Sequence, residues 1–256
     1  MIDIHNHILP GIDDGPRTVE ESIELAEVAI EDGVAVIVAT PHSSDLESLP
    51  PGTYAARLQE LRSALKEKGM PLTVVPGLEN YLTPDLTKRW QAGAALTLGE
   101  RHYMLVEFPL YQYPLYTDEA LFDLQLKGIV PIIAHPERND AIRQDISRLQ
   151  KLVERGMLAQ ITTASLLGNF GSAAKRLAET ILARNLAQII ATDAHTARDH
   201  RNPVLSGGVA AAARIIGKDR AMAMVKDIPE AILAGKAVAV EPPIAAPRPL
   251  WAFWRR

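Results

Sequence analysis

Short apolar runs of strand length recur along this chain, each followed by a segment with helical periodicity and a Gly or Pro break. They begin near residues 2, 34, 72, 103, 129, 158 and 186. The run Val34-Ala35-Val36-Ile37-Val38-Ala39 is apolar at every position. That is the mark of a parallel strand covered on both faces. Between the runs, Thr18 followed by Glu21 is a capping-box pattern that opens a helix. Ile23, Leu25, Ala26, Val28, Ala29 and Ile30 supply its apolar face, and Gly33 ends it. Leu58, Leu61 and Leu65 predict a second helix, stopped at Gly69. Thr83-Pro84 is expected to cap a short helix, and Thr117 a longer one running to Lys127. Further helices are expected over 146–154, 172–184, 204–216, 219–226 and 229–233. Strands that alternate with helices on short links leave a parallel barrel or a doubly wound sheet, with about seven units.

No Pro/Gly/Ser-rich linker divides the chain, so residues 1–240 are expected to form one domain. Residues 241–256 carry four prolines and are expected to be an extended or flexible tail. The apolar content of 47% over 256 residues suits a large buried core. A formal charge of -4 and the lack of basic runs argue against nucleic acid as a partner. The chain has no cysteine, so disulfides, thiolate metal sites and thiolate nucleophiles are all excluded. No leader pattern and no apolar run of membrane-spanning length is present, which fits a cytoplasmic protein.

The ends of the predicted strands carry the chemistry. His5 and His7 follow the first, and their spacing of two puts both on one side of an extended segment. His42 follows the second strand, Glu79 the third, Glu107 the fourth, His135 the fifth, and Asp193 with His195 the seventh. In a parallel barrel all strand C-termini share one face, so these scattered residues should converge. Any one of them alone reads as a polar loop residue; six of seven strands ending in a ligand type does not. Imidazoles and carboxylates without thiolate suit Mn, Fe or Zn, and so many donors imply two or three ions. His102 precedes the fourth strand and belongs to the opposite face, whereas His200 follows the seventh and falls near the site. Asp13 is either a ligand or a loop carboxylate, and Glu137 is a neighbouring loop carboxylate. Tyr111, Tyr113 and Tyr116 either wall the pocket or simply pack.

The motifs His5-x-His7-Ile8-Leu9-Pro10-Gly11-x-Asp13-Asp14-Gly15, Thr40-Pro41-His42, Gly77-x-Glu79, Glu107-Phe108, Ala134-His135-Pro136-Glu137-Arg138 and Thr192-Asp193-Ala194-His195 resemble the PHP (polymerase and histidinol phosphatase) superfamily. Within it they are most similar to the CpsB/YwqE-type manganese-dependent tyrosine-protein phosphatases of bacterial capsular and exopolysaccharide loci. The resemblance spans residue 2 to about residue 235. It implies an α/β fold, a distorted seven-stranded (β/α)7 TIM-like barrel, with a multi-metal site. The implied metal ligands are His5, His7, Asp14, His42, Glu79, Glu107, His135, Asp193 and His195. Arg138 matches a phosphate-binding arginine, and Arg201, before Asn202-Pro203, matches a second. His42 and Asp193 are catalytic candidates as well, while the proton donor to the leaving group stays open between His42 and the Asp193/His195 pair.

The implied cofactor is Mn2+, two or three ions per site, with Fe, Zn, Co or Mg as alternatives. The implied activity is hydrolysis of protein phosphotyrosine by metal-generated hydroxide, and the implied partner is a bacterial tyrosine kinase of polysaccharide assembly. Two competing readings are a PHP phosphoesterase for a small molecule, such as histidinol phosphate or a nucleotide, and a non-catalytic metal-binding module. Trp251, Phe253, Trp254, Arg255 and Arg256 offer a peripheral membrane or kinase contact through the tail, against the simpler reading of a frayed terminus.

Overall fold

The computed structural model describes residues 1–244. The tail residues Trp251, Phe253, Trp254, Arg255 and Arg256, and the membrane contact expected of them, lie outside the described residues. Within the described part no helix is long and apolar enough to cross a membrane.

The strands are β1 Ile2–Asn6, β2 Val36–Ala39, β3 Thr73–Pro76, β4 Glu79–Tyr81, β5 Tyr103–Glu107, β6 Val130–Ala134, β7 Leu158–Thr162 and β8 Ile189–Ala191. All pairings are parallel and follow chain order, β1-β2-β3 in one sheet and β4-β5-β6-β7-β8 in another. Two seams join the sheets. At one, Asn6 bridges to Ala194, with Asp193 N–H donating to His5 O and His7 N–H to Ala194 O. At the other, His42 bridges to Glu79 and Glu79 N–H donates to Pro41 O. The third expected strand, residues 72–75, is β3; Glu79 does not simply follow it but begins β4, an additional short strand set off by a break at Gly77-Leu78. Close packing explains the break. A Cβ on Gly77 would lie 2.7 Å from Val38 Cγ1 and 3.0 Å from Leu98 Cδ2. The Tyr54 hydroxyl accepts from Gly77 N–H and donates to Gly77 O, both at 2.9 Å, taking the ladder's place there.

Each strand buries both faces. One face packs on the helices in a large apolar cluster that includes Ile37, Val74, Met104, Ile133, Ile161 and Ile190. The other face contributes Ile4, Val38, Leu105, Ile132, Leu158 and Ile189 to a second, smaller cluster. A fully buried Leu or Ile contributes about 1.5–3 kcal/mol, so these two layers carry most of the fold's stability. In β1 the register shifts between Asp3 and Asn6, so three steps of β1 run beside two of β2. A bulge of this kind re-aims side chains. Ile4 joins the smaller apolar cluster while its neighbour His5 still reaches the ligand groups.

Helix Val19–Glu31 starts as its sequence predicts: Thr18 Oγ1 accepts from Glu21 N–H at 3.3 Å. The Glu21 carboxylate reaches one residue further back than a capping box requires, to Arg17 N–H at 2.7 Å. Helix Thr53–Glu67 buries Leu58, Leu61 and Leu65 as expected. Two expected caps are not formed. The helix after Pro84 begins only at Leu86, behind a turn in which Leu86 N–H donates to Thr83 O, so Thr83 stands outside it. Thr117 is the first residue inside helix Thr117–Leu126, not its cap. Asp118 there receives the Tyr113 hydroxyl at 2.6 Å. The described start of the expected tail, residues 241–244, is neither helix nor strand, and Ile244 N–H donates to Arg184 O at 2.9 Å.

Candidate metal centre

The residues that end the strands meet. His7, Asp14, His42 and His195 form one group with ligand atoms within 4.8 Å of one another. His5, His7, Glu79 and Asp193 form a second, and His42, Glu79 and Glu107 a third. His135 joins through Nε2, 2.8 Å from Glu79 Oε1 and 3.8 Å from Glu107 Oε1. All nine ligand candidates thus lie in one connected cluster, and Arg138 and Arg201 border it. Arg138 Nη1 donates to Asp193 Oδ2 at 2.6 Å. Arg201 Nη1 donates to Asp14 Oδ2 at 3.0 Å, and its Nη2 lies against His195 Nε2.

Two ligand candidates hold unusual backbone. His135 has φ 30° and Asp193 φ 54°. Left-handed conformations cost energy for residues with a Cβ and cluster at functional sites. Both lie just past strand ends, and the turn swings each side chain inward. Gly15 has no room for a side chain, since a Cβ would lie 2.3 Å from His7 O. That contact closes the Asp13-Asp14-Gly15 loop onto β1.

The imidazoles are oriented from behind. His7 Nδ1 faces Asp13 Oδ2 at 2.7 Å. The Asp13 carboxylate also accepts from His42 N–H and Gly15 N–H, at 3.0 Å each. His5 Nδ1 faces Gln160 Oε1 at 3.0 Å, and His195 Nδ1 faces Asp193 O at 2.9 Å. Acceptors on Nδ1 place the proton there and leave the Nε2 lone pairs for the centre. His5 Nε2 and His7 Nε2 lie 3.2 Å apart, and each is 3.3 Å from Asp193 Oδ1. Ligands about 2.1 Å from a shared cation are separated by roughly 3 Å, so this spacing fits one. Glu79 Oε2 gives a sharper test. It is buried, has no hydrogen bond among the described residues, and still lies 2.8 Å from His42 Nδ1. A buried carboxylate oxygen without a hydrogen bond is costly, and a cation shared with His42 would take its lone pair. The donor set therefore fits divalent metal.

Electrostatics point the same way. Burial pushes the Glu79 carboxyl up, but His5, His135 and His42 outweigh it and hold it well below the ordinary range. Asp193 behaves alike, its burial overcome by His5 and His7. Burial and the charge of Glu79 raise Glu107. Burial opposes protonation of His42, yet Asp14 and Glu79 bring it up to about 10. So concentrated a negative field attracts any cation that fits.

Asp13 and Glu137 resolve as supports. Glu137 Oε1 accepts from Thr162 N–H at 2.8 Å and Thr162 Oγ1 at 2.9 Å, tying the His135–Arg138 turn to β7. Gln160 is legible in the sequence only as a polar strand position. Asp3 gives no signal there at all: fully buried, it accepts from Thr192 N–H, Thr192 Oγ1 and Asn6 Nδ2 under the first seam. His102 packs on Tyr103 at the start of β5, the far end from Glu107. His200 meets the Phe170 ring edge-on at 5.8 Å. Of the tyrosines, Tyr113 packs on Phe108 and Tyr116 donates to Leu82 O, while Tyr111 is exposed.

A parallel α/β protein that brings three overlapping groups of imidazoles and carboxylates together, with two guanidiniums at their edge, is built like a metal-dependent hydrolase. Comparison with known proteins narrows this. The family described as "Capsular polysaccharide synthesis, CpsB/CapC" matches residues 1–234, and the chain belongs to it. It is 39% identical over 199 residues to the tyrosine-protein phosphatase YwqE of Bacillus subtilis, covering 77% of this chain and 78% of that one. It is 30% identical over 244 residues to the tyrosine-protein phosphatase CpsB of Streptococcus pneumoniae, covering 93% of this chain and 100% of that one. A solved structure from work on YwqE and CpsB, described as "unique metal-dependent tyrosine phosphatases", superposes with a TM-score of 0.91 at 35% identity, covering 97% of this chain and 100% of that one.

Proposed function

We propose that this chain is a metal-dependent, cysteine-free protein-tyrosine phosphatase. Residues 1–240 are its single domain, a distorted seven-unit barrel in which β3 and β4 count as one interrupted strand. His5, His7, Asp14, His42, Glu79, Glu107, His135, Asp193 and His195 hold two or three ions, Mn2+ first, with Fe, Zn, Co or Mg as substitutes. The substrate is a phosphotyrosyl protein, a bacterial tyrosine kinase of capsule or exopolysaccharide assembly, met in the cytoplasm. The observation that carries the reading is the buried Glu79 Oε2, which makes no hydrogen bond among the described residues yet lies 2.8 Å from His42 Nδ1, beside His5 and His7 whose Nε2 atoms stand 3.2 Å apart.

When bound, divalent cations supply hydroxide near neutral pH and neutralise phosphoryl oxygens. The rest falls to the chain. Arg138 keeps one N–H on Asp193 Oδ2 and turns its other N–H groups to the phosphoryl group, where a planar fork matches two oxygens. Arg201 reaches both Asp14 Oδ2, at 3.0 Å, and Asp193 Oδ1, at 3.5 Å, so the two guanidiniums meet at Asp193. Asp193 divides its work: Oδ2 fixes Arg138 while Oδ1 faces His5 and His7. His42, the most exposed of the clustered imidazoles at 24% of its side chain, stands where a leaving group exits. A phenolate leaves without strong proton donation, so less hangs on which of His42 and the Asp193/His195 pair serves as the acid.

The test is turnover by the Mn2+-supplemented protein of a phosphotyrosyl peptide, set against histidinol phosphate and nucleotide mono- and diesters. Peptide hydrolysis that EDTA and His135→Ala both abolish is expected. Preference for the small esters would move the assignment to a small-molecule phosphoesterase, and metal uptake without any hydrolysis would leave only a binding module.

A further inference from the structure

β7 is the one strand in the second half of the chain whose end supplies no candidate ligand. It leads into the short helix Thr163–Leu167, the turn Gly168-Asn169-Phe170 and helix Gly171–Ala183. Gly168 and Gly171 have φ 89° and 87°, so the Phe170 turn is bracketed by two left-handed glycines. The turn carries the Phe170 ring under Arg138, whose Cζ lies 4.5 Å from the ring centroid. The ring also meets His200 edge-on, at 83°. Among the described residues the Arg138 side chain has one hydrogen bond, from Nη1 to Asp193 Oδ2. A single bond fixes one point of a guanidinium and leaves the group free to pivot about it. A ring lying against its Cζ restricts that freedom.

We propose that Phe170 is a positioning residue: it holds the plane of the Arg138 guanidinium so that its free edge stays aimed at the phosphoryl group. This rests on the reading of Arg138 as a phosphate-binding arginine. No sequence pattern marks the role, because Phe170 stands 32 positions from Arg138 and in no motif. Phe170 does not touch the reacting atoms; it acts through Arg138.

The experiment compares Phe170→Leu, which keeps apolar bulk but loses the π face, with Phe170→Tyr, which keeps it. Both are measured as full-length, Mn2+-loaded protein with a phosphotyrosyl peptide, and by calorimetry with inorganic phosphate. Phe170→Leu should lower kcat/KM by about tenfold and weaken phosphate binding by a similar factor. Metal content and the urea midpoint should not move, and Phe170→Tyr should stay within about twofold of the parent. In an Arg138→Ala background, Phe170→Leu should add less than about twofold, because its target is gone. Parental phosphate affinity in Phe170→Leu overturns the proposal. So does an undiminished tenfold effect without Arg138, or a Tyr variant as impaired as the Leu variant. If the unmutated protein hydrolyses no phosphoester, the phosphatase reading fails instead, and the phosphate calorimetry still decides the role of Phe170.

Discussion

The two seams that join the sheets hold comparable cargo by different means. At the β1–β8 seam, His5 and Asp193 are set by a sealed polar network, with Asp3 at 0% exposure receiving Thr192 and Asn6. At the β2–β4 seam, His42 and Glu79 are set by close approach: Gly77 without a side chain against Val38 and Leu98, and the Tyr54 hydroxyl standing in for the ladder. Ladder hydrogen bonding is thin at both, one isolated bridge each, so backbone and side chains there are free to serve ligands. The lesson is one of replaceability. A buried carboxylate with several donors admits no substitute, whereas a hydroxyl that serves the two backbone groups of one glycine holds fewer groups and less is lost with it.

The largest effect should therefore come from Asp3→Ala. It leaves the Thr192 N–H without an acceptor, and the Thr192 hydroxyl and Asn6 amide with only long contacts to His5 O at 3.5 Å and Thr192 Oγ1 at 3.4 Å, in a buried seam, a loss of about 3 kcal/mol. Urea unfolding should show it, and Mn2+ titration should show weaker loading, since Thr192 leads directly into Asp193. Stability near that of the parent would erase the distinction between the seams. Next comes Gly77→Ala. Its new Cβ must displace Val38 and Leu98, at a cost of about 1–3 kcal/mol. The strain sits two residues before Glu79, so metal affinity should fall with stability in this variant too.

Gln160→Leu sharpens the comparison from inside the site. It removes the acceptor that fixes the His5 tautomer but touches neither seam's backbone. Metal affinity should drop about 10- to 100-fold, as for other groups that orient a ligand imidazole, with little change in the urea midpoint. A variant that loads metal normally would show that β1 alone orients His5.

Much of this centre is legible along the chain and some is not, for a physical reason. Ligands at strand ends announce themselves, because an apolar run that stops at His, Glu or Asp is a local pattern. His42, Glu107, His135 and Asp193 all read that way. Asp14 comes only through family resemblance, as its loop has no strand to mark it. Asp3 and Gln160 are invisible: their partners Thr192 and His5 lie 189 and 155 positions away. No spacing rule reaches so far. The β1 bulge is equally hidden, since Ile2-Asp3-Ile4-His5 looks like plain alternation. The break in the third strand comes from Gly77 meeting Val38 and Leu98, a contact between three separate segments. The caps at Thr83 and Thr117 mislead because a Ser/Thr signal is local while helix starts are settled by the surrounding packing.

The smallest effect should be that of Tyr54→Phe, and it tests the comparison most finely. The hydroxyl accepts from Gly77 N–H and donates to Gly77 O. Burial raises its phenol to about 12, so it is an uncharged donor at any working pH. Removing it strips both backbone groups of a partner, a loss of about 1 kcal/mol where water can enter and roughly double that where it cannot. The Tyr54 side chain as a whole is less buried than Asp3, and its hydroxyl serves one glycine rather than a three-donor network, so the lower figure is expected, with Mn2+ affinity within about twofold of the parent. A loss as large as that of Asp3→Ala would mean that the second seam is as dry as the first, and that close approach at Gly77 seals it as completely as a buried carboxylate does.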